Sequence, residues 1–150
     1  GTKPIVPPTI LVVEDSPDDA MIVGLTFQES GIANPLLFVE DGKAAIDYMN
    51  GRGDYVDRSS YPLPLLVILD LNLPKYDGFE VLAATERVRE EHNIAVVVLS
   101  VSDSPTDLER VRAFGADKYI QKPIDPAMLL QVVSEIEAFS LLIVPASPGD

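Results

Sequence analysis

LLVILDLNLPKYDGFEVL, residues 65–82, decides how this chain folds. It opens on five consecutive aliphatic residues. An unbroken apolar run this short reads as a strand buried on both faces, the signature of a parallel sheet covered by helices. The run stops at one carboxylate, Asp70. A polar turn with a proline follows, and then Asp77 stands as N-cap to a helix over 78–90, with Glu80 three residues on as in a capping box. Strand, acid, turn and capped helix therefore follow one another within a single βα unit.

The same unit recurs in both directions. Strands are expected over 10–13, 36–39, 65–69, 95–99 and 118–120, and ILVV and AVVVL repeat the all-aliphatic pattern. Helices are expected over 17–30, 105–114 and 126–139. Each is announced by a capping residue (Ser16, Ser104, Asp125) followed by proline at the first helical position. Gly31 and Gly115 close the first two. A shorter helix over 43–49 follows Asp41-Gly42. Five βα units in a row require right-handed crossovers and one parallel sheet with helices on both faces, an α/β doubly wound fold. Residues 50–64 are polar, rich in glycine and proline and without period, hence a surface loop. The expected organisation is a flexible arm over 1–8, a folded domain over 9–139 and a tail over 140–150.

Bulk properties bound the function. At 150 residues and 47% hydrophobic content the chain is one domain with a real core. It has no cysteine, which removes disulfides and thiolate metal sites. A net charge of -13 repels phosphate backbones and anionic headgroups, so neither nucleic acid nor membrane is an expected partner. The apolar runs at 10–13 and 141–144 are too short for a signal peptide or a bilayer span, and a cytoplasmic protein is expected.

Ligands in a doubly wound sheet gather at the carboxyl ends of the strands. Here the residues following the apolar runs are Glu14 and Asp15, then Asp70, Ser100, and Gln121-Lys122-Pro123. One edge thus collects three carboxylates, a hydroxyl and an ammonium. Taken singly, each acid reads equally well as a cap or a solvated loop residue. Together they need a counter-charge, and hard oxygen ligands suit Mg²⁺, with the backbone carbonyl of Asn72 as a further donor. An aspartate can also attack a phosphoryl group, whose oxygens Mg²⁺, Lys122 and the Ser100 hydroxyl would stabilise.

With VVEDSPDD (12–19), VILDLNLPKYDGFEVL (67–82), VVLSVSD (97–103) and ADKYIQKPID (116–125), the chain resembles a response regulator receiver domain of two-component systems. The resemblance covers about residues 9–139, and the spacings from Asp70 to Ser100 and to Lys122 match the family pattern. It implies a flavodoxin-like (βα)5 fold with strand order 2-1-3-4-5, and it assigns roles. Asp70 is then the phosphoacceptor. Asp15 is the direct Mg²⁺ ligand, Glu14 acts mainly through water, and the Asn72 carbonyl and Asp70 complete the metal site. Ser100 is the switch hydroxyl, Tyr119 the switch aromatic and Lys122 the phosphate-binding lysine. The Lys122–Pro123 bond is expected to be cis. The implied partner is a sensor histidine kinase, and the long 50–64 loop with DLNLPKYDG resembles the small single-domain regulators paired with bacterial and cyanobacterial phytochromes.

The departures are small: Ser100 stands where threonine is commoner, and Glu14 where aspartate is also frequent. Two other readings are weighed against the switch. A phosphorylation-independent interaction module has no need of the full set of acids, Ser100 and Lys122. An aspartyl-phosphate hydrolase usually carries a second acid two residues after its nucleophile, and that position is Asn72, so the implied protein is not an enzyme for foreign substrates. Tyr119 also reads as a plain strand-end aromatic, and His92 as a solvated surface residue. Output is expected through a protein surface built from residues 104–139. There the apolar stripe Val132, Val133, Ile136 and Phe139, with the tail beyond, fits either a homodimer or a tail folded back on its own domain.

Overall fold

The computed structural model describes residues 8–73 and 75–136. Five strands, β1 (Ile10–Val13), β2 (Leu36–Val39), β3 (Leu66–Asp70), β4 (Ala95–Ser100) and β5 (Lys118–Gln121), form one parallel sheet in the order β2-β1-β3-β4-β5. Five helices alternate with them: α1 (Pro17–Ser30), α2 (Gly42–Asn50), α3 (Gly78–His92), α4 (Pro105–Ala113) and α5 (Pro126–Ser134). Ile10 is in register with Leu36 on one side and Leu66 on the other, and Leu66 with Ala95.

Strand alternation divides the core into two layers. Leu11, Val13, Val67, Leu69, Val96 and Val98 face α2, α3 and α4, where Tyr48, Met49, Leu82 and Val111 meet them. Ile10, Val12, Leu66, Ile68, Val97 and Leu99 face α1 and α5, where Val23, Phe27, Leu129 and Val133 close over them. Because β1, β3 and β4 lie between neighbours and under both helix layers, every one of their residues is buried. That is the reason their sequences carry no alternation.

The caps follow the expected chemistry with one exception. Ser16, Asp41, Asp77 and Asp125 each accept a backbone N–H three residues on. Ser104 occupies the cap position of α4 but makes no side-chain cap bond; its own N–H donates to Ser102 Oγ at 3.1 Å. Gly31 takes the left-handed conformation that stops α1, at φ 86°.

Boundaries shift where tertiary pairing decides them. β3 runs one residue later than its aliphatic run, because Asp70 pairs with Leu99 while the Leu65 N–H is taken by the Thr9 carbonyl. α3 continues to His92, where Asn93 turns left-handed. α5 ends at Ser134 rather than 139, its last N–H groups bonding three or four residues back. Residues 137–139, the tail over 140–150 and all of the 1–8 arm except Pro8 lie outside the described residues. The stripe expected to be left over on α5 is largely consumed: Val133 is wholly buried, and Val132 and Ile136 pack against the same core layer.

The loop over 50–64 is more ordered than its composition predicts. Gly53–Tyr55 forms a 3₁₀ turn, and Tyr48, Tyr55 and Tyr61 form a tilted and edge-to-face cluster with centroids 5.0–6.0 Å apart. Arg58 reaches under it and donates to the carbonyls of Tyr48, Met49 and Tyr61 at 2.7, 2.8 and 3.2 Å, satisfying the C-terminal end of α2.

Candidate functional site

The carboxyl ends of β1, β3, β4 and β5 converge, and the side chains singled out in the sequence meet there. Asp70 closes β3 at 5% exposure, and its Oδ1 accepts the backbone N–H of Asn72 at 2.9 Å. Glu14 follows β1 and is 4% exposed, while neighbouring Asp15 is open to solvent. One carboxylate oxygen each from Glu14, Asp15 and Asp70 lies within 4.8 Å of the others.

Lys122, carried past the end of β5, points its Nζ into this group. It is 2.7 Å from Asp70 Oδ2, 3.5 Å from Glu14 Oε2 and 3.9 Å from Asp19 Oδ2. The Lys122 N–H donates to the Ser100 carbonyl at 2.7 Å, which ties the lysine's backbone to the end of β4. The Lys122–Pro123 bond is cis, as the resemblance implied.

Charge is unevenly compensated. Burial, followed by the adjacent Asp70 carboxyl, pushes the Glu14 carboxyl up to about 8. Burial works against the Lys122 ammonium, yet the bond to Asp70 and the surrounding acids move it above its ordinary value. Glu14 Oε2 is buried and, among the described residues, accepts no hydrogen bond; Lys122 Nζ stands 3.5 Å from it. A hard cation among these oxygens would satisfy that atom and offset the repulsion, so the donor set fits Mg²⁺.

Ser100 is buried, and its hydroxyl accepts the N–H of Ser102 at 3.1 Å. Tyr119, half-buried, donates its hydroxyl to the Ser102 carbonyl. Ser102 also donates its own hydroxyl to Asp107 at 2.8 Å. Ser102 thus connects the two residues read as switch elements, which the sequence reading missed. Asp19 was missed as well. Its signal was its place in the first turn of a helix starting at the sheet edge, which aims it at the same lysine. His92 lies exposed at the end of α3 and is not part of the Glu14, Asp15 and Asp70 cluster.

The response regulator receiver domain family matches residues 10–134, and this chain belongs to it. Among relatives, the "Probable methanogenesis regulatory protein FilR2" of Methanothrix harundinacea is 37% identical over 88% of this chain and 83% of its own length. The response regulator Rcp1 of Synechocystis is 36% identical over 90% of both chains. A crystal structure of Mn²⁺-bound Rcp1 matches with a TM-score of 0.71 at 35% identity, covering 94% of this chain and 99% of that one. The phosphorylated cyanobacterial phytochrome response regulator RcpA matches with a TM-score of 0.68 at 32% identity over 85% and 89%. The chain is a receiver-domain response regulator related to phytochrome regulators.

Proposed function

We propose that this receiver accepts a phosphoryl group on Asp70 from a sensor histidine kinase of the phytochrome class, with Mg²⁺ bound. The observation that carries the reading is the convergence of Glu14, Asp15, Asp70 and Lys122 at one sheet edge, with a buried Glu14 oxygen that accepts no hydrogen bond. Support comes also from the relatives, since RcpA was crystallised phosphorylated and Rcp1 with Mn²⁺.

The residues divide the work. A carboxylate oxygen of Asp70 attacks phosphorus, the bond from phosphorus to the donor's imidazole nitrogen breaks, and an acyl phosphate remains. Lys122, already 2.7 Å from Asp70, pairs with the phosphoryl oxygens as the carboxylate gives up its charge. Glu14 and Asp15, with the Asn72 carbonyl, would hold Mg²⁺, which supplies charge neutralisation for the phosphoryl oxygens. Ser100 turns its hydroxyl to the new acceptors, and the change passes through Ser102 to Tyr119 and the surface of α4, β5 and α5. Pairing of two copies through residues 104–139 belongs to the same reading.

Labelling by a phosphorylated histidine kinase or by acetyl phosphate in Mg²⁺ tests the proposal. Wild type takes up one acid-stable, base-labile label, and Asp70→Asn takes up none while keeping its circular dichroism spectrum. Full labelling of Asp70→Asn overturns the assignment.

A further inference from the structure

The loop between Asp70 and α3 carries the Asn72 carbonyl, and its shape is set from outside. Its two ends are joined: the Leu71 N–H donates to the Leu99 carbonyl, and the Gly78 N–H to the Leu71 carbonyl, both at 2.9 Å. Its far side rests on the start of α2. The backbone of Tyr76 is seated so closely on Gly42 that a Cβ there would stand 2.2 Å from the Tyr76 carbonyl oxygen and 2.8 Å from its Cβ. Next to this contact, Lys75 Nζ lies 3.3 Å from Asp41 Oδ2. Asp41 is itself fixed, because its Oδ1 caps α2 through the Ala44 N–H at 2.8 Å. Lys75 holds a left-handed backbone, φ 65°, at the same place.

We propose that Asp41 and Gly42 are positioning residues for the metal site, holding Lys75 and Tyr76, and with them the turn closed by the Gly78–Leu71 bond, so that Asn72 presents its carbonyl beside Asp70. This rests on the Mg²⁺ reading given above. The physical reason is that α2 is a regular hydrogen-bonded helix, while the described residues 71–73 and 75–77 belong to no helix or strand. The Asn72 carbonyl can be placed reproducibly only if the loop is pinned somewhere along its length. Supports of this kind, one step removed from the ligands, set metal affinity by orienting the ligand.

Gly42→Ala introduces the missing methyl group without harming α2, since alanine is the better helix former. The loop must then move away. Mg²⁺ affinity, followed by calorimetry with the metal alone, is expected to fall about tenfold. The labelling rate by acetyl phosphate is expected to need correspondingly more Mg²⁺ for half-saturation and to return to the wild-type value at saturating Mg²⁺. Asp41→Asn keeps a capping side chain and loses the ion pair, and its affinity is expected to fall about threefold. Should Gly42→Ala fail to fold, the Asp41→Asn affinity decides alone. Wild-type affinity in the folded variants overturns the positioning role and leaves the Mg²⁺ reading standing. A labelling rate that stays low at saturating Mg²⁺ also overturns it, as general damage to the site. Mg²⁺ binding to none of the proteins, wild type included, overturns the metal reading itself.

Discussion

Lys122 and Asp70 are fifty-two residues apart in the chain and 2.7 Å apart in the fold, joined by a charge-assisted hydrogen bond at a largely buried site. The lysine is the one cation placed among Glu14, Asp19 and Asp70 by the described residues.

This pair gives the first prediction. Lys122→Met leaves the Asp70 and Glu14 carboxyls facing each other without a counter-charge. The expected cost in metal-free buffer is about 3 kcal/mol, at the low end for breaking a buried pair because the lysine itself is partly exposed. Much of the loss is expected to return with Mg²⁺, which replaces the missing positive charge. Urea denaturation with EDTA and with Mg²⁺ measures both; equal losses under the two conditions contradict the idea.

Mg²⁺ is expected to stabilise the wild-type protein by mass action, by about 2.7 kcal/mol at a hundredfold excess over its dissociation constant. Asp15→Ala is expected to lose most of this gain. Asp15 is exposed, so the substitution changes little in the absence of metal. Thermal denaturation against Mg²⁺ concentration checks both halves, and an unshifted wild-type melting temperature counts against the site.

Tyr119→Phe deletes the hydroxyl that bonds the Ser102 carbonyl and leaves the acids untouched. Labelling of Asp70 is expected to proceed as in wild type, while the response of the α4–β5–α5 face is reduced. Light scattering with and without beryllofluoride reads that response as association of two copies. Wild type that stays monomeric with beryllofluoride at high concentration sinks the pairing, though not the phosphoacceptor assignment.

Arg58→Ala removes the donors that satisfy the end of α2 and the guanidinium lying 5.9 Å from the Tyr48 ring centroid. A loss on the order of 2 kcal/mol is expected, since hydrogen bonds from a charged donor outweigh neutral ones. The urea midpoint measures it. A change within 0.5 kcal/mol, about the size seen for ordinary surface substitutions, shows the loop to be an ornament on the fold.

Asp41 supplies a pH dependence. The Ala44 N–H first, and then Lys75, hold its carboxyl below the ordinary carboxylate value. A depressed carboxylate contributes stability that is complete above its unfolded value and is lost as pH falls through its folded one. The stability difference between wild type and Asp41→Asn is therefore expected to be largest near neutral pH and to shrink in acid, below about pH 4. Urea midpoints at pH 7 and pH 3 compare the two, and a gap that widens in acid reverses the sign.

Much of this protein is legible in its sequence because local rules write it there. Runs such as ILVV and LLVIL are short, wholly aliphatic and carry β-branched residues, which favours a buried strand, although pairing starts the second at Leu66. Ser16, Asp77 and Asp125 start helices through bonds that span three residues. The set Glu14, Asp15, Asp70, Ser100 and Lys122 was visible because each stands at or just past the carboxyl end of a strand, and a parallel sheet aligns all such ends on one edge. Tertiary structure alone decided the rest, where the partner is distant in sequence. Whether the stripe on α5 is spare depended on α1 and the sheet, which bury Val133. The order hidden in the 50–64 loop depended on Arg58 finding the carbonyls of α2. Neither the buried Glu14 oxygen that accepts no hydrogen bond nor the seat of Tyr76 on Gly42 can be read along the chain, because burial and close approach are properties of what folds over a residue.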